Sequence, residues 1–328
     1  MYAHVYCMCF VMCNVMKGNS PLKPLFNWVG LSDDIDIYAL AFQECKPSSK
    51  EGPETKEEAE METEIETEME QVQSPYQNAT QTETETDTES ERKRQEKEIN
   101  KQNWSNQRQI EAILSTHLGQ NYAKIANFNM WQTRLFVFVK KKHEERISSV
   151  TMHYQATGVG GVAKNKGGVA ISFHFDGVSM CFVCSHLAAH FSKVQHRNDD
   201  YKQLCKGLQV GLPKRQLLSQ FHHLFWLGDL NYRVDWQPHK DKPIQHKDDC
   251  ELEVFEAFQS HVNEHNLDSL LRDDQLITSM SQSKAFIGFQ EPVIKFKPTF
   301  KVERNSDLNY NVCFTLLFLI YFFHFFNG

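Results

Sequence analysis

The sequence predicts an α/β domain built around central β-sheets. Three observations carry this reading. Apolar runs of strand length recur along the chain, among them DIYALAF, TRLFVFVKK, NKGGVAISFHF, VSMCFVCSHL and FHHLFWLGD. Segments of helical spacing lie between them, such as NQRQIEAILSTHL, where Ile110, Ile113, Leu114 and Leu118 recur every three or four residues. The two kinds of segment alternate, as they do where helices cover the faces of sheets. With 328 residues, 41% of them apolar, the chain suffices for one large domain or two ordinary ones.

Taken in order, residues 1–45 read as a buried strand, a loop, and a second strand ending at Gln43 and Glu44. The first stretch, MYAHVYCMCFVM, lacks a basic start, so it reads as a core strand and not as a signal peptide. Residues 46–102 break the pattern with METEIETEMEQ and TQTETETDTES, Glu/Thr repeats with no core face, the composition of a disordered acidic insertion. Order resumes over residues 103–311. The predicted helix of NQRQIEAILSTHL leads to strands in YAKIANFNMW and TRLFVFVKK. Strands in ISSVTMHYQA, NKGGVAISFHF and VSMCFVCSHL follow, the last two joined by a turn at Asp176-Gly177. FSKVQHRNDDYKQLCKGLQ reads as a polar helix, FHHLFWLGDLNYR as a strand running into a loop, and LEVFEAFQSHVNEHNLDSLLRDDQL as one amphipathic helix. Residues 312–328 form an apolar tail, VCFTLLFLIYFFHFF, shorter than the roughly 17–25 residues that span a bilayer as a helix. Two readings stand for it: a tail anchor, or sequence never selected to occupy the end of this domain.

Charge is unevenly spread. The net formal charge is −7, yet residues 51–90 hold 14 acids and one lysine, a local −13. Elsewhere 34 basic residues face 28 acidic ones, a balance of +6 that suits a polyanionic ligand. The nine cysteines are odd in number, and Cys7, Cys9, Cys13, Cys181 and Cys184 lie inside apolar runs. The C-x-x-C of Cys181 and Cys184 has no second pair and no matching histidine spacing, so buried thiols in a reducing, cytoplasmic compartment are expected ahead of zinc or redox work.

Four stretches suggest chemistry. Glu44 ends a strand, where a carboxylate can serve as a Mg²⁺ ligand or simply face solvent. GVGGVAKNKGGVA sets Lys164, Asn165 and Lys166 among five glycines. It reads as a backbone cradle for an anion or as a hairpin connection, and the P-loop pattern is absent. CSHLAAH spaces His186 and His190 four apart, but the preceding strand places His186 at a strand end, as a phosphate-contacting or acid/base group or as a structural one. FWLGDLNYR is the most specific. If it stays extended, Asp229, Asn231 and Arg233 share one face. A turn at Gly228 is expected to expose them, with Asp229 taking a proton from water, Asn231 holding the water or the acid, and Arg233 clamping phosphate in bidentate fashion.

Five blocks, AFQE, NKGG, SHLAAH, FWLGDLNYR and KPTFK, stand in the order found in inositol polyphosphate 5-phosphatases, and the chain resembles that family of the exonuclease/endonuclease/phosphatase superfamily. VMCNVMKGNSP is similar to the family's T-W-N-V-N-G strand, with Cys13 in place of Trp and Met16 in place of Asn. The likeness runs from about Val5 to Tyr310. It implies a DNase I-like fold: a four-layer α/β sandwich of two mixed β-sheets flanked by helices. It also implies Mg²⁺ at Glu44 and Asn14, and Asp229 activating water with Asn231 orienting it. His186, Asn165, Lys166 and Arg233 would then stabilise the phosphoryl oxygens, and Lys301 would meet a neighbouring ring phosphate. Phe300 stands where the family has Tyr, which removes one hydroxyl contact. The implied partner is a phosphoinositide headgroup or a soluble inositol polyphosphate, met by a cytoplasmic protein transiently and peripherally at a membrane surface, with no nucleic acid. HEERISSVTM, FHHLFW and KVERNSD resemble the SHIP-like group, which acts on phosphatidylinositol 3,4,5-trisphosphate. SHLAAH is closer to the OCRL and type II group, which favours the 4,5-bisphosphate. The family's closing W-C-D-R and S-D-H blocks are absent, so the last strands of one sheet are expected to be missing and its core surface uncovered. A truncated, weakly active or inactive fragment is therefore one alternative. A related nuclease or sphingomyelinase is another, since G-D-x-N recurs across the superfamily, although NKGG, NYR and PTFK argue against it.

Overall fold

A computed structural model describes residues 8–14, 32, 34–44, 110–157, 166–235, 260–264, 266–291, 293–294 and 323–326. The acidic insertion, the glycine-rich stretch from 158 to 165 and the KPTFK block lie outside the described residues. Nine described strands form two mixed sheets. The first comprises β1 (Met8–Asn14), β2 (Ile37–Gln43), β3 (Tyr122–Met130) and β4 (Thr133–Lys140), in the order β1-β2-β4-β3. Its β1 and β2 are parallel and its other pairs antiparallel. The second comprises β5 (Ile147–Ala156), β6 (Gly167–Phe175), β7 (Val178–His186), β8 (His223–Asp229) and β9 (Phe323–Phe326), in sequence order, with only β7 and β8 parallel.

Side-chain alternation along the strands builds the layers. In β2, Ile37, Ala39 and Ala41 face the second sheet, together with Leu135, Val137 and Val139 of β4. The intervening Tyr38, Leu40 and Phe42 join Phe136 and Phe138 on the opposite face, under a helix, α1, at residues 110–118. Ile110, Leu114 and Leu118 of α1 recur every four residues and are buried there, whereas Ile113 is half-buried. In the second sheet, Phe182 and Leu227 fill the space between the sheets, while Val183, Leu224 and Trp226 face outward. That outer face is covered by α2 (Val194–Gly207), α3 (Leu267–Leu271) and α4 (Gln275–Ser281). Three apolar interfaces between four layers explain why the central strands read as continuous apolar runs: both of their faces are covered. Each large side chain fully buried there contributes on the order of 1.5–3 kcal/mol. Cys181 and Cys184 fall on opposite faces of β7, both buried and neither in a disulfide, and burial holds the Cys181 thiol well above its ordinary value.

The β6–β7 hairpin turns at Asp176 and Gly177, both with positive φ (49° and 82°), as a two-residue turn matched to strand twist requires. Three features differ from the sequence reading. The single amphipathic helix expected up to Leu276 is broken into 260–263, α3 and α4. The Asp274 carboxylate accepts from the Leu276 and Ile277 amides and so starts a new helix. The sheet edge beyond β8, expected to stand open, is paired: residues 323–326 of the apolar tail run antiparallel to β8 from His223 to Trp226. An aromatic, strand-favouring run supplies the backbone groups that an open edge leaves unsatisfied. No helix among the described residues is long and apolar enough to cross a membrane.

The third difference concerns Gly228, which lies inside β8 and not at a turn. Its φ is 129°, and a Cβ there would stand 2.1 Å from the Ser185 carbonyl oxygen of β7. Only glycine lets the two parallel strands approach this closely. Gly228→Ala is expected to lower unfolding free energy by about 3 kcal/mol or more, as measured by urea denaturation. A variant within about 0.5 kcal/mol of the parent would contradict this account of the strand pair.

Candidate active site

The site lies where β2, β7 and β8 end and β6 begins. Strand register brings its residues together. His186 and Asp229 are partners across the parallel β7–β8 pair, and His186 also faces Gly167, the residue after Lys166. On the other sheet, Asn14 is the partner of Gln43, so Asn14 and Glu44 end neighbouring strands. Glu44 is half-buried with φ 56° and acts electrostatically on both Lys166 and Asp229. His186, Asp229, Asn231 and Arg233 are all buried, at 3–6% exposure, so the expected exposure of the acid and amide is not met.

The extended run expected for Asp229, Asn231 and Arg233 is also not what forms. Asp229 Oδ1 accepts from the Asn231 amide two residues on (3.0 Å), and Asn231 turns into the left-handed region at φ 57°. Aspartate closes such a turn with its own side chain, and asparagine tolerates that backbone, so the D-x-N spacing has a local cause. The turned Asn231 is then clamped. Its Nδ2 donates to the Leu187 carbonyl (2.9 Å), while Arg233 donates through Nη2 to its Oδ1 (2.8 Å) and through Nε to its backbone oxygen (3.0 Å).

Lys166 Nζ and His186 Nε2 are hydrogen-bond partners, and with the charged ammonium as donor the imidazole is neutral and carries its proton on Nδ1. The Asp229 Oδ2 lies 3.6 Å from the same nitrogen. Burial, then the neighbouring Lys166 charge, holds His186 well below its ordinary value. Burial also lowers Lys166, opposed chiefly by the Asp229 carboxylate and then Glu44. Burial raises Asp229, opposed by Lys166, Arg233 and the Asn231 amide. The cluster is an ammonium, a guanidinium and two carboxylates held at short range in a place of low dielectric.

Of the residues singled out in the sequence, the structure brings together Lys166, His186, Asp229, Asn231, Arg233 and Glu44. Asn14 arrives through its backbone position. Asn165 and Lys301 lie outside the described residues. His190 does not pair with His186: it is exposed, in the loop after β7, with φ 74°. Three buried residues not marked by any motif hold the site from behind. Arg197 of α2 donates to the carbonyls of Ala188 (3.2 Å), His190 (2.7 Å) and Phe191 (3.3 Å) and to Gln275 Oε1 (2.6 Å). Gln275 Oε1 also accepts from the Arg233 amide (3.0 Å). Asp200 of α2 accepts from the Ala188 amide (2.9 Å). The one readable signal was the spacing of Arg197, Asp200, Tyr201 and Leu204, one buried helix face.

Among the described residues no group of three or more His, Cys, Asp or Glu side chains converges as a metal site. A hard divalent cation that keeps several waters needs only one or two carboxylates and a neutral oxygen. Glu44, ending a strand beside Asn14 and repelling Asp229, fits that modest donor set, since a cation there would relieve the repulsion.

The fold and the cluster define an α/β sandwich of two mixed sheets with a buried acid, amide, imidazole and paired cations at the strand ends. Residues 12–315 match the model of endonuclease/exonuclease/phosphatase family 2, and the chain belongs to that family. It is 35% identical over 209 residues to phosphatidylinositol 3,4,5-trisphosphate 5-phosphatase 2B of Danio rerio, a match covering 63% of this chain and 16% of that protein. It is 34% identical over 208 residues to Synaptojanin-1 of Homo sapiens, covering 63% and 12%. The chain thus spans less than a fifth of the length of these relatives. Among solved structures, the inositol polyphosphate 5-phosphatase domain of SPsynaptojanin, in complex with inositol (1,4)-bisphosphate and a calcium ion, superposes with a TM-score of 0.66. It has 21% identity, over 97% of this chain and 75% of that one. A Cimex nitrophorin ferrous NO complex superposes with a TM-score of 0.56 at 19% identity, over 97% and 86%. Both likenesses establish the fold.

Within reach of Asp274, burial and then the Asp274 charge push Glu291 up from its ordinary 4.5 to about 8. Below pH about 4.5 the folded and unfolded chains both carry this proton. As pH rises towards about 8 the unfolded chain releases it first, so stability is lost across that window. Glu291→Gln, which keeps the shape without the charge, is expected to melt higher than the parent above pH about 8 and to match it near pH 4.5. Thermal unfolding across a pH series checks this, and a constant gap at every pH would refute it.

Proposed function

We propose that this chain hydrolyses the 5-phosphate of phosphoinositides, with phosphatidylinositol 3,4,5-trisphosphate or 4,5-bisphosphate as substrate. The observation that carries this reading is the locked turn from Asp229 to Arg233 beside the Lys166–His186 pair. A carboxylate set to take a proton stands there among cations set to meet an anion. The relatives support the choice of anion: one is a phosphatidylinositol 3,4,5-trisphosphate 5-phosphatase, and the SPsynaptojanin domain holds an inositol bisphosphate that carries no 5-phosphate.

In this reading Asp229 accepts a proton from a water aligned opposite the scissile P–O bond. The Asn231 amide holds that carboxylate, and the second hydrogen of its Nδ2 points to the water or a phosphoryl oxygen. As the water oxygen bonds to phosphorus, the bond to the inositol 5-oxygen breaks, and that oxygen leaves as a hydroxyl with a proton from solvent. Charge on the equatorial oxygens is met by Lys166, Arg233 and His186, and the resemblance assigns Asn165 to the same oxygens and Lys301 to a neighbouring ring phosphate. Such preorganised charge is commonly the largest single contribution to catalysis. Glu44 and Asn14 would hold Mg²⁺, which supplies Lewis-acid polarisation of the phosphoryl group when bound. The headgroup would be met at a membrane surface, reached peripherally and transiently from the cytoplasm.

The purified chain is expected to release orthophosphate from short-chain phosphatidylinositol 3,4,5-trisphosphate with Mg²⁺, and to stop on addition of EDTA. Asp229→Asn is expected to lower kcat by about 10²- to 10⁴-fold, the usual worth of a general base. No release from any 5-phosphorylated inositide would overturn the reading, and cleavage of abasic DNA would move the chain to the nuclease branch.

A further inference from the structure

We propose that Gln275 is a positioning residue: it holds Arg233 in register with the loop after β7, and through Arg233 it sets the Asn231 amide beside Asp229. Its effect on rate rests on the 5-phosphatase reading, while its geometry stands apart from it.

Just past the turn at Asn231 the chain pairs with the start of α4. Val234 and Asp274 form an antiparallel bridge, and the Asp235 amide donates to the Asp273 carbonyl (2.7 Å). Arg233 and Gln275 are therefore opposite one another, at a position where two ladder residues would exchange both of their N–H···O bonds. Gln275 makes the first of these with its backbone: its amide donates to the Arg233 carbonyl (2.9 Å). It is also the first residue of α4, so its own carbonyl is committed to the helix. Its side chain supplies the missing half, with Oε1 accepting from the Arg233 amide (3.0 Å). One buried residue thus brackets the main chain of Arg233 from both sides.

The same Oε1 accepts from Arg197 Nη2 (2.6 Å), and Nε2 donates to the Phe191 carbonyl (3.3 Å). Both lone pairs of the oxygen are then used, and flipping the amide would set its NH₂ against two donors. Because Gln275 holds Arg233 by its main chain, the guanidinium is left to reach back to Asn231 through Nε and Nη2. Fixing the Arg233 backbone fixes the root of both bonds. A leucine at 275 fills a similar volume but leaves the Arg233 amide and Arg197 Nη2 without this acceptor in a buried place. A glutamate keeps an acceptor for both and gives up only the Phe191 bond, the longest of the set.

Two measurements on the full chain test this. With short-chain phosphatidylinositol 3,4,5-trisphosphate and Mg²⁺, Gln275→Leu is expected to lower kcat by about 10- to 100-fold, since small misplacements of reacting groups cost that much, with KM within about threefold of the parent. Gln275→Glu is expected to recover most of that loss. Leu276→Ala, which weakens the packing of the same helix without touching these bonds, is expected to keep kcat within about threefold well below its melting temperature. Independently of turnover, the Nε–H ¹⁵N signal of Arg233, assigned by its loss in Arg233→Lys, is expected to move in Gln275→Leu and to return towards the parent's position in Gln275→Glu. If the parent releases no phosphate, the 5-phosphatase reading fails and the Arg233 signal alone decides. An unmoved signal in Gln275→Leu, a Gln275→Glu as impaired as the leucine variant, or an equal loss of kcat in Leu276→Ala would overturn the positioning role. Should Gln275→Leu not fold, Gln275→Asn, with its amide one methylene short of both donors, is expected to show the same loss and the same shift, and a parent-like Gln275→Asn would overturn it.

Discussion

Much of the site depends on one buried guanidinium. Arg197 is fully enclosed, yet its donors meet three backbone carbonyls of the loop after β7 and the side chain of Gln275. Desolvating a guanidinium costs several kcal/mol unless its hydrogen bonds are made, so the loop is held in the one conformation that makes them. Gln275 carries the constraint onward, since the oxygen that accepts from Arg197 also accepts from the Arg233 amide. The loop behind His186 and the loop behind Asp229 are thereby fixed to one another through a helix that touches neither reacting group. The Arg197 guanidinium also lies 5.2 Å over the Tyr232 ring, whose hydroxyl donates to Asn198 (2.6 Å), so α2 grips the turn along its length.

This explains what was legible in the sequence. Strands buried on both faces need apolar residues at every position, and β2, β4, β7 and β8 announce themselves that way. The Asp176-Gly177 hairpin and the helical spacing of Ile110, Leu114 and Leu118 are local codes and were readable for the same reason. Asp229, Asn231, Arg233, His186 and Lys166 stood out because charged and amide groups at the ends of apolar runs are conspicuous. The left-handed turn at Asn231 was not legible. A strand continuing through Leu230 and a turn closed by Asp229 differ by one hydrogen bond, and a D-x-N spacing is compatible with either. Arg197 and Asp200 looked like ordinary charges of a polar helix, and their spacing with Tyr201 and Leu204 on one face was the one hint that this face of α2 is inward. The pairing of 323–326 with β8 is a long-range event between segments about a hundred residues apart, invisible to any local pattern.

The electrostatics of the cluster follow from where it sits. Lys166, Arg233, Asp229 and Glu44 each shift the balance of their neighbours, and burial works against the charged form of Lys166 and Asp229 alike. A buried arrangement of this kind is seldom worth its desolvation as a stabilising device. Apolar residues at those positions would bind the sheet ends together at lower cost, as they do one layer away around Phe182 and Leu227. Its retention at strand ends, beside an inverted asparagine and a glycine that only a close strand approach requires, is the physical ground for regarding it as a working site.

The fold by itself would not support that step. The same sandwich superposes on a domain that holds an inositol bisphosphate with calcium and on a nitrophorin that holds NO, at nearly equal identity. Two covered sheets with their strand ends free offer a place to build a site and specify none of its chemistry. What separates the alternatives is the side chains at those ends. A carboxylate fixed by its own turn, a neutral imidazole accepting a hydrogen bond from a lysine, and an arginine that locks an amide form a set suited to an anion under attack by water. Family membership agrees with that set, and Asp229, Asn231, His186 and Lys166 would suit phosphate chemistry even without it.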